Sequence, residues 1–546
     1  MERRALLAVV ISVAILVLYQ QFVLKRLYTP SASPPENSAL PAAPAQSEIP
    51  PAAAPPAAVA PPPAVPEAAP VQAVEGSDVV VDTDLYQATF TTAGARLKSF
   101  VLKRFRTTVS ADSPPLQMIQ YPVANKLPLG VSLVGATQLS DAGVTYRADQ
   151  QHIDIPPGGS ATLTFTGELE GATVRKRIEM HGDVYDWALD VDVANPPSAY
   201  SEIAVAWEEG MNPAGPKAAE VVFDSVVVLQ KDKLQTQLFT ALDPPILLEN
   251  DISWLAFTGR YFLAGMVPQA ENENHLRTWA KRTDQTVDAQ LLFPPQTFKA
   301  HIDMFVGPKD IDRLEAFGHG LRRAVDLGRF SFIALPMLQA LRLLHKFTGN
   351  YGVAIILLTV IIKLLFYPLT KKSFESMRAM QKLQPEMAKI RERLQDKPDE
   401  MNREIMDLYK RHKVNPLGGC LPMILQLPVF FGLYSALQNA IELRHAPFIG
   451  WITDLSAPDR LGSIQLPFVE PAGIPVMTLT MGVSMFVQQW MTPSAADPSQ
   501  QRVMMIMPLM FTYMFINFPA GLSLYWLANN LLTIAQQYSI NRSPQR

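Results

Sequence analysis

Two hydrophobic rhythms divide this chain, and each predicts a different kind of element. Between about Val79 and Val193 the apolar positions come in short runs: Val79-Val80-Val81, Tyr86 to Phe90 and Ala161 to Phe165. Ala188 to Val193 (ALDVDV) alternates apolar and polar, the period of a half-buried strand. Pro156-Pro157-Gly158-Gly159 is a turn signal between such runs. The pattern predicts an all-β sandwich over residues 76–325. Beyond it the apolar runs lengthen to membrane-crossing size: Val353 to Leu369, Leu421 to Ala440, Ile474 to Trp490 and Val503 to Ile540. The last is too long for one crossing and is divided at Phe518-Pro519-Ala520-Gly521.

A further apolar stretch, Ala5 to Leu24, follows Arg3 and Arg4. About 20 residues at 1.5 Å each make roughly 30 Å, enough for a bilayer core. A cleaved signal peptide is the competing reading, but Tyr19, Gln20, Gln21, Lys25 and Arg26 stand where a small-residue cleavage site is expected. Residues 1–27 are therefore read as an anchor. Residues 28–75 are mostly Pro and Ala and form a tether that cannot build a core. The total is six transmembrane helices, a multi-pass α-helical membrane protein. Residues 326–546 hold five of them, preceded by an amphipathic segment, Arg329 to Phe347, that suits a membrane surface or, alternatively, packs on the β domain.

Charge orients the array. Lys371 to Gly418 carries twelve Lys/Arg against eight Asp/Glu, and Ile441 to Gly473 two against four. The basic excess places the first loop in the cytoplasm, the second outside, and both termini in the cytoplasm. Within residues 371–414, Phe374, Met377, Met380, Leu383, Met387, Ile390 and Leu394 recur at helical spacing, and Pro398 marks a turn. This predicts a cytoplasmic helical hairpin. Its methionines either bind varied apolar partners or only hold the hairpin together. Its basic surface is an ordinary solvated face or a contact for lipid headgroups or ribosomal RNA.

Little in the sequence points to chemistry. The net charge of -3 gives no bulk attraction to nucleic acid, and the one cysteine, Cys420, excludes an internal disulfide. The histidines have no metal-ligand spacing, and no phosphate-binding G-x-x-x-x-G-K-[ST] loop occurs. Neither a metal nor a cofactor is expected, and no small-molecule substrate. The informative residue is Lys363, inside the apolar run Val353 to Tyr367. A charge near the bilayer centre costs about 2.5–3.5 kcal/mol and usually faces protein or a wet cavity. Thr359, four residues earlier, shares its helical face. Alternatively, Lys363 snorkels to the cytoplasmic end about two turns away. Gln426, Asn439, Gln488, Gln489, Asn517, Asn529 and Asn530 add polar groups to the spans.

Asn415 to Pro428 (NPLGGCLPMILQLP) and Phe430 resemble the signature of the YidC-type insertases. So do Tyr367-Pro368-Leu369-Thr370, Gln384-Pro385, Trp451 to Ser456 (WITDLS), Phe518 to Trp526 (FPAGLSLYW) and Gln536-Gln537, in order. The likeness is dense over 325–540. It is thinner upstream, where Gly307-Pro308-Lys309 and Val325-Asp326 are similar to Gram-negative members.

The resemblance implies a five-helix insertase core around a hydrophilic groove open to cytoplasm and lipid, with a periplasmic β-supersandwich similar to sugar-binding folds. It implies a membrane protein insertase and chaperone of the inner membrane, not an enzyme. It serves nascent integral membrane proteins, alone or with the Sec translocon, and meets the ribosome through the cytoplasmic hairpin. The groove's basic residue is normally Arg in that family, and Lys363 stands at its position, keeping charge but not the bidentate fork. Gln426, Phe430, Tyr525 and Trp526 match positions facing the groove or the client path. Two other readings remain at this stage: a transporter or channel, and a membrane-anchored carbohydrate-active enzyme.

Overall fold

The computed structural model describes residues 74–542, apart from 111, 124, 213–221, 270–275, 284, 295–297, 413, 415–420, 466, 468, 470 and 492–497. The predicted anchor and tether therefore lie outside the described residues, as does most of the Asn415 to Cys420 motif.

Strands occupy the chain from Asp78 to Pro308 in three sheets. The largest has nine strands. Third from one edge, Ala172–His181 pairs antiparallel with both Ser160–Leu169 and Asp186–Ala194. A six-stranded sheet is built around Tyr200–Gly210 and Thr286–Phe293. A five-stranded sheet contains Arg96–Arg106 and closes with a parallel pairing of Asp78–Asp82 with His152–Asp154. All four strand signals in the sequence lie within strands. The alternation is literal on Ala172–His181, where every second side chain from Ala172 to Met180 is buried. That face joins one apolar core with Phe90, Phe100, Phe165, Trp207 and Phe257. The residue buried between Val174 and Ile178 on that face is Lys176, a charge in a hydrophobic position.

After the strands come α1 (Ile311–Phe317), α2 (Ser331–Thr348) and α3 (Tyr351–Lys382). Gly349 ends α2 in the left-handed conformation, at φ 65°, which a glycine adopts without strain. One residue on, the Asn350 side chain accepts from Val353 N at 3.1 Å and starts α3. Then follow α4 (Gln384–Arg393), α5 (Pro398–Arg411), α6 (Leu421–Asn439), α7 (Val476–Met491), α8 (Pro498–Phe515) and α9 (Ala520–Arg542). A helix thus stands at each of the four apolar runs, with a break between α8 and α9 at 516–519. A β-carbon on Gly482 of α7 would fall 2.1 Å from the Thr512 hydroxyl, so glycine lets α8 close onto α7.

One expectation changes. Among the described residues, one helix, α3, is long and apolar enough to cross a membrane by length and composition. The six-helix count is not established on that measure. In α9 the reason is its polar load, including Asn529, Asn530, Thr533, Gln536 and Gln537. The predicted hairpin has an added feature: its first residues continue α3, which runs on without a break through Lys382, about 48 Å at 1.5 Å per residue, before α4 and α5 turn back.

The β domain is fastened to the helices by polar ties. Arg260 Nε donates to Gln438 O (2.7 Å) and Arg444 Nη2 to Arg106 O (2.8 Å). Arg342 pairs with both Asp312 and Glu442. Asn439 Nδ2 donates to Asp326 O, so this asparagine belongs to the joint rather than to a polar interior. Asn517 is likewise taken up at a helix end, by Arg460 Nη2 at 2.9 Å.

Candidate functional site

The helical packing puts one face of α9 between α3 and α6. Tyr525, Asn529 and Thr533 are four residues apart and share that face. From α3, Lys363 Nζ donates to Thr533 Oγ1 at 2.8 Å. From α6, Gln426 Nε2 donates to Tyr525 Oη at 2.6 Å and reaches Asn529 Oδ1 at 3.5 Å. Thr533 Oγ1 returns its own proton to Asn529 O at 2.6 Å. A continuous polar seam therefore joins three helices. Its one charge is Lys363, and among the described residues no carboxylate lies within ion-pair distance of it.

Beside the seam is an aromatic wall. Phe430 of α6 meets Trp526 of α9 edge-on at 5.0 Å, and Phe515 of α8 lies 5.4 Å from the same indole. Four of the sequence-predicted residues, Gln426, Phe430, Tyr525 and Trp526, are thus neighbours, and Lys363 reaches them through Thr533 and Asn529.

Thr359 is placed differently. It is buried, and its hydroxyl donates to Ile355 O at 2.7 Å. A threonine inside a helix commonly returns its proton to the carbonyl one turn back, which leaves little for a polar stripe. The partner that helical phase assigned to Thr359 is supplied from another helix by Thr533.

Thr533 has no signal of its own in the sequence. A second missed feature does. Ser523, Asn530 and Gln537 recur every seven residues, are all buried and face α7. Ser523 Oγ is 3.3 Å from Thr478 Oγ1, Asn530 Nδ2 donates to Ser484 Oγ at 3.0 Å, and Gln537 Nε2 to Met491 O at 2.5 Å. Asp459 holds the top of α7, accepting from Met477 N at 2.7 Å and Thr478 Oγ1 at 2.9 Å. These bonds lock α7 to α9; the seam toward α3 and α6 is the other polar face of α9.

The hairpin methionines separate by position. Met387 is buried with Leu383, Ile390, Leu408 and Tyr409, and its sulfur accepts the Tyr409 hydroxyl at 3.3 Å. Met380 packs against the same cluster, and Met377 lies half-buried on the end of α3. Met387 is inside the hairpin because it shares with Ile390 the apolar face of α4 that packs on Leu408 and Tyr409 of α5. Among the described residues no group of three or more metal-ligating side chains occurs.

Comparison with known proteins matches both halves of the chain. The family described as "YidC periplasmic domain" matches residues 78–340, and the family described as "60Kd inner membrane protein" matches residues 343–546. The "Membrane protein insertase YidC" of Syntrophus aciditrophicus is 39% identical, over 99% of this chain and 100% of its own length. The protein of the same name from Citrifermentans bemidjiense is 40% identical, over 100% and 99%. A crystal structure described as an active YidC insertase covers 87% of this chain and 95% of its own, at 18% identity and a TM-score of 0.36. End-to-end identity of that size, with a family match on each side of the joint, shows that the chain belongs to the YidC family of inner-membrane proteins.

Proposed function

We propose that this chain is a membrane protein insertase of the bacterial inner membrane, acting through a hydrophilic groove lined by Lys363, Gln426, Tyr525 and the Thr533 hydroxyl. The observation that carries the reading is the polar seam, whose only charge has no counter-ion among the described residues. The names of relatives about 39% identical along the whole chain support the activity. A client's polar segment enters the seam and so keeps hydrogen-bonding partners while crossing. Lys363 favours acidic segments by charge. The client's apolar helix then leaves sideways into lipid, driven by burial of its apolar surface. Thr359 supports α3 from within, and Phe430 and Trp526 flank the path. No bond is made or broken.

The membrane arrangement is part of the proposal. An anchor over 1–27 and a tether over 28–75 lead to a periplasmic β domain over 76–325. α3, α6, α7, α8 and α9 of the region 326–546 cross the bilayer, making six crossings with both termini cytoplasmic. The loop charges support this orientation. The hairpin 371–414 faces the ribosome with its basic surface, carrying Met377 and Met380 near the mouth of the groove, and the Sec translocon is a partner for larger clients.

The test is insertion of a small one- or two-span protein after depletion of this one. Complementation compares wild type with Lys363→Arg, Lys363→Ala and Lys363→Glu. Wild type and the Arg variant restore insertion, and the Glu variant fails, most for clients with acidic translocated tails. If Glu works as well as wild type, Lys363 is a snorkelling anchor and the groove charge plays no part. If wild type fails to restore insertion, the insertase reading falls and transport becomes the function to pursue.

A further inference from the structure

A cavity of about 290 Å³ opens where the β domain hands the chain to α2. Part of its lining is polar. Arg322 and Arg323 stand on the short 3-10 turn Leu321–Ala324, and Ser331 is the first residue of α2. The rest is apolar: Ile311, Val325, Leu327 and Leu335. α2 begins without a side-chain cap and without an acidic residue in its first turn, so its N-terminal dipole adds to the two guanidinium charges.

Both arginines are held by partners at the surface. Arg323 Nη1 donates to the Asp232 carboxylate at 3.2 Å and Nη2 to Asp232 O at 2.5 Å, and that carboxylate is 96% exposed. Arg322 lies 3.6 Å from Glu315, which is also exposed. Ion pairs at such exposure contribute little. A phosphate held by two arginines forms charge-assisted, geometrically matched bonds and outcompetes them. The surroundings say what the phosphate is attached to. Phe332, beside Ser331, is 70% exposed, and Leu343 and Phe347 continue the same uncovered face along α2. A free phosphate has no use for the apolar walls. A phospholipid does: its headgroup fills a cavity of this size, at the lower end of ligand sites, and its acyl chains run out along α2.

We propose that this cavity seats the phosphate of an anionic phospholipid between Arg322, Arg323 and Ser331, with the first part of its acyl chains on Val325, Leu327 and Leu335. The site pins the joint between β domain and helices to the membrane surface. It rests on the reading of α2 as a helix lying on the membrane.

The experiment is native mass spectrometry of the full chain carrying equal amounts of phosphatidylglycerol and phosphatidylcholine. Wild type retains phosphatidylglycerol in roughly tenfold preference, the gain that two charge-assisted bonds to an ion provide. The double variant R322A/R323A loses the preference. Leu335→Trp keeps both arginines but fills the cavity, and loses retention as well; it also carries the test if the double variant does not fold. Retention of the preference by either folded variant overturns the site. So does competition by inorganic phosphate as strong as by lipid, which would make this a free-anion site. Quenching of Phe332→Trp fluorescence by brominated lipid separates the two levels. Quenching without lipid preference rejects the site and keeps the membrane helix; no quenching rejects both.

Discussion

Lys176 and Lys363 are both lysines taken largely out of water, and their surroundings are opposite. Lys176 is 0% exposed in the β domain. Its ammonium meets Asp141 Oδ2 at 2.6 Å and the carbonyls of Gly94 and Leu129, both at 2.7 Å. Asp141 in turn accepts from Tyr146 Oη (3.0 Å) and Val131 N (3.1 Å) and pairs with Arg96, which also pairs with Glu208. Arg96, Asp141, Lys176 and Glu208 come from four separate stretches of chain and tie the three sheets together. Lys363 in α3 has one hydroxyl, Thr533. One charge is neutralised inside the fold; the other has no counter-ion among the described residues, as the proposed groove requires. A buried ion stripped of its counter-ion costs several kcal/mol, so the Lys176 network serves the fold, whereas Lys363 adds nothing to it by ion pairing.

The Lys176 network is most easily broken at Asp141. Asp141→Ala removes the shared acceptor of Arg96, Lys176 and Tyr146 and leaves the Lys176 ammonium without a carboxylate in a dry core, while Arg96 keeps Glu208. The expected loss is about 3–5 kcal/mol, read as a lower Tm of the purified chain. An unchanged Tm would mean that the sheets are held by their apolar core alone.

Glu209 sharpens the same side of the comparison, because it is a buried carboxyl without a cation. Its Oε2 has no hydrogen-bond partner, and burial raises its pKa from 4.5 to about 8. The folded state therefore keeps a proton that the unfolded chain releases above about pH 4.5. Stability from this group is intact below pH 4.5, falls as pH rises, and is lost by about pH 8. At roughly 1.4 kcal/mol per pH unit, Glu209→Gln should gain about 2–4 kcal/mol at pH 8 and little at pH 4.5. Urea unfolding at the two pH values measures it. A variant as pH-dependent as wild type in this window would show that the carboxyl is paired after all. Lys176 gives a slope of opposite sign at higher pH. Burial, opposed by Asp141, lowers its pKa to about 8, so its penalty lifts as pH rises from 8 toward 10.5.

What the sequence discloses follows the range of the interactions involved. Strand alternation and helix-length apolar runs are local, and they put elements where the structure has them, at 160–169, 186–194, 421–439 and 476–491. Gln426, Phe430, Tyr525 and Trp526 were legible through a family likeness, not through spacing, and the fold makes them neighbours. Thr533 was not legible, because a threonine among apolar residues carries no mark of the lysine that will reach it from α3. For Thr359 the limit is the same: phase tells which face a residue is on, not whether its hydroxyl already donates to Ile355 O. Met387 shows the limit from the other side, since a spacing that suits a sticky surface also suits a buried seam. The Asp141 cluster was invisible for a longer-range reason. Lys176 sits at a core position of a clean alternation, and only the meeting of three sheets shows what neutralises it.

The smallest expected change in stability is at Lys363, and there the comparison makes its sharpest claim. Lys363→Met removes a charge but no ion pair, and its thioether fills much of the same volume. Thr533 keeps its bond to Asn529 O, so no polar atom is left without a partner. Lys363 is half-buried and holds no ion pair among the described residues, so an apolar side chain in its place leaves no partner charge uncompensated. The unfolding free energy should therefore stay within about 1 kcal/mol of wild type or rise. Insertion of a client with an acidic tail should nevertheless fall roughly tenfold, the equivalent of about 1.4 kcal/mol, and a client with a neutral tail should be nearly unaffected. Asp141→Ala is expected to do the reverse: it depletes folded protein and lowers insertion of both clients alike. A Lys363→Met protein that melts early, or that loses both clients equally, would place Lys363 with Lys176 among the charges that serve the fold, and the distinction between the two regions would collapse.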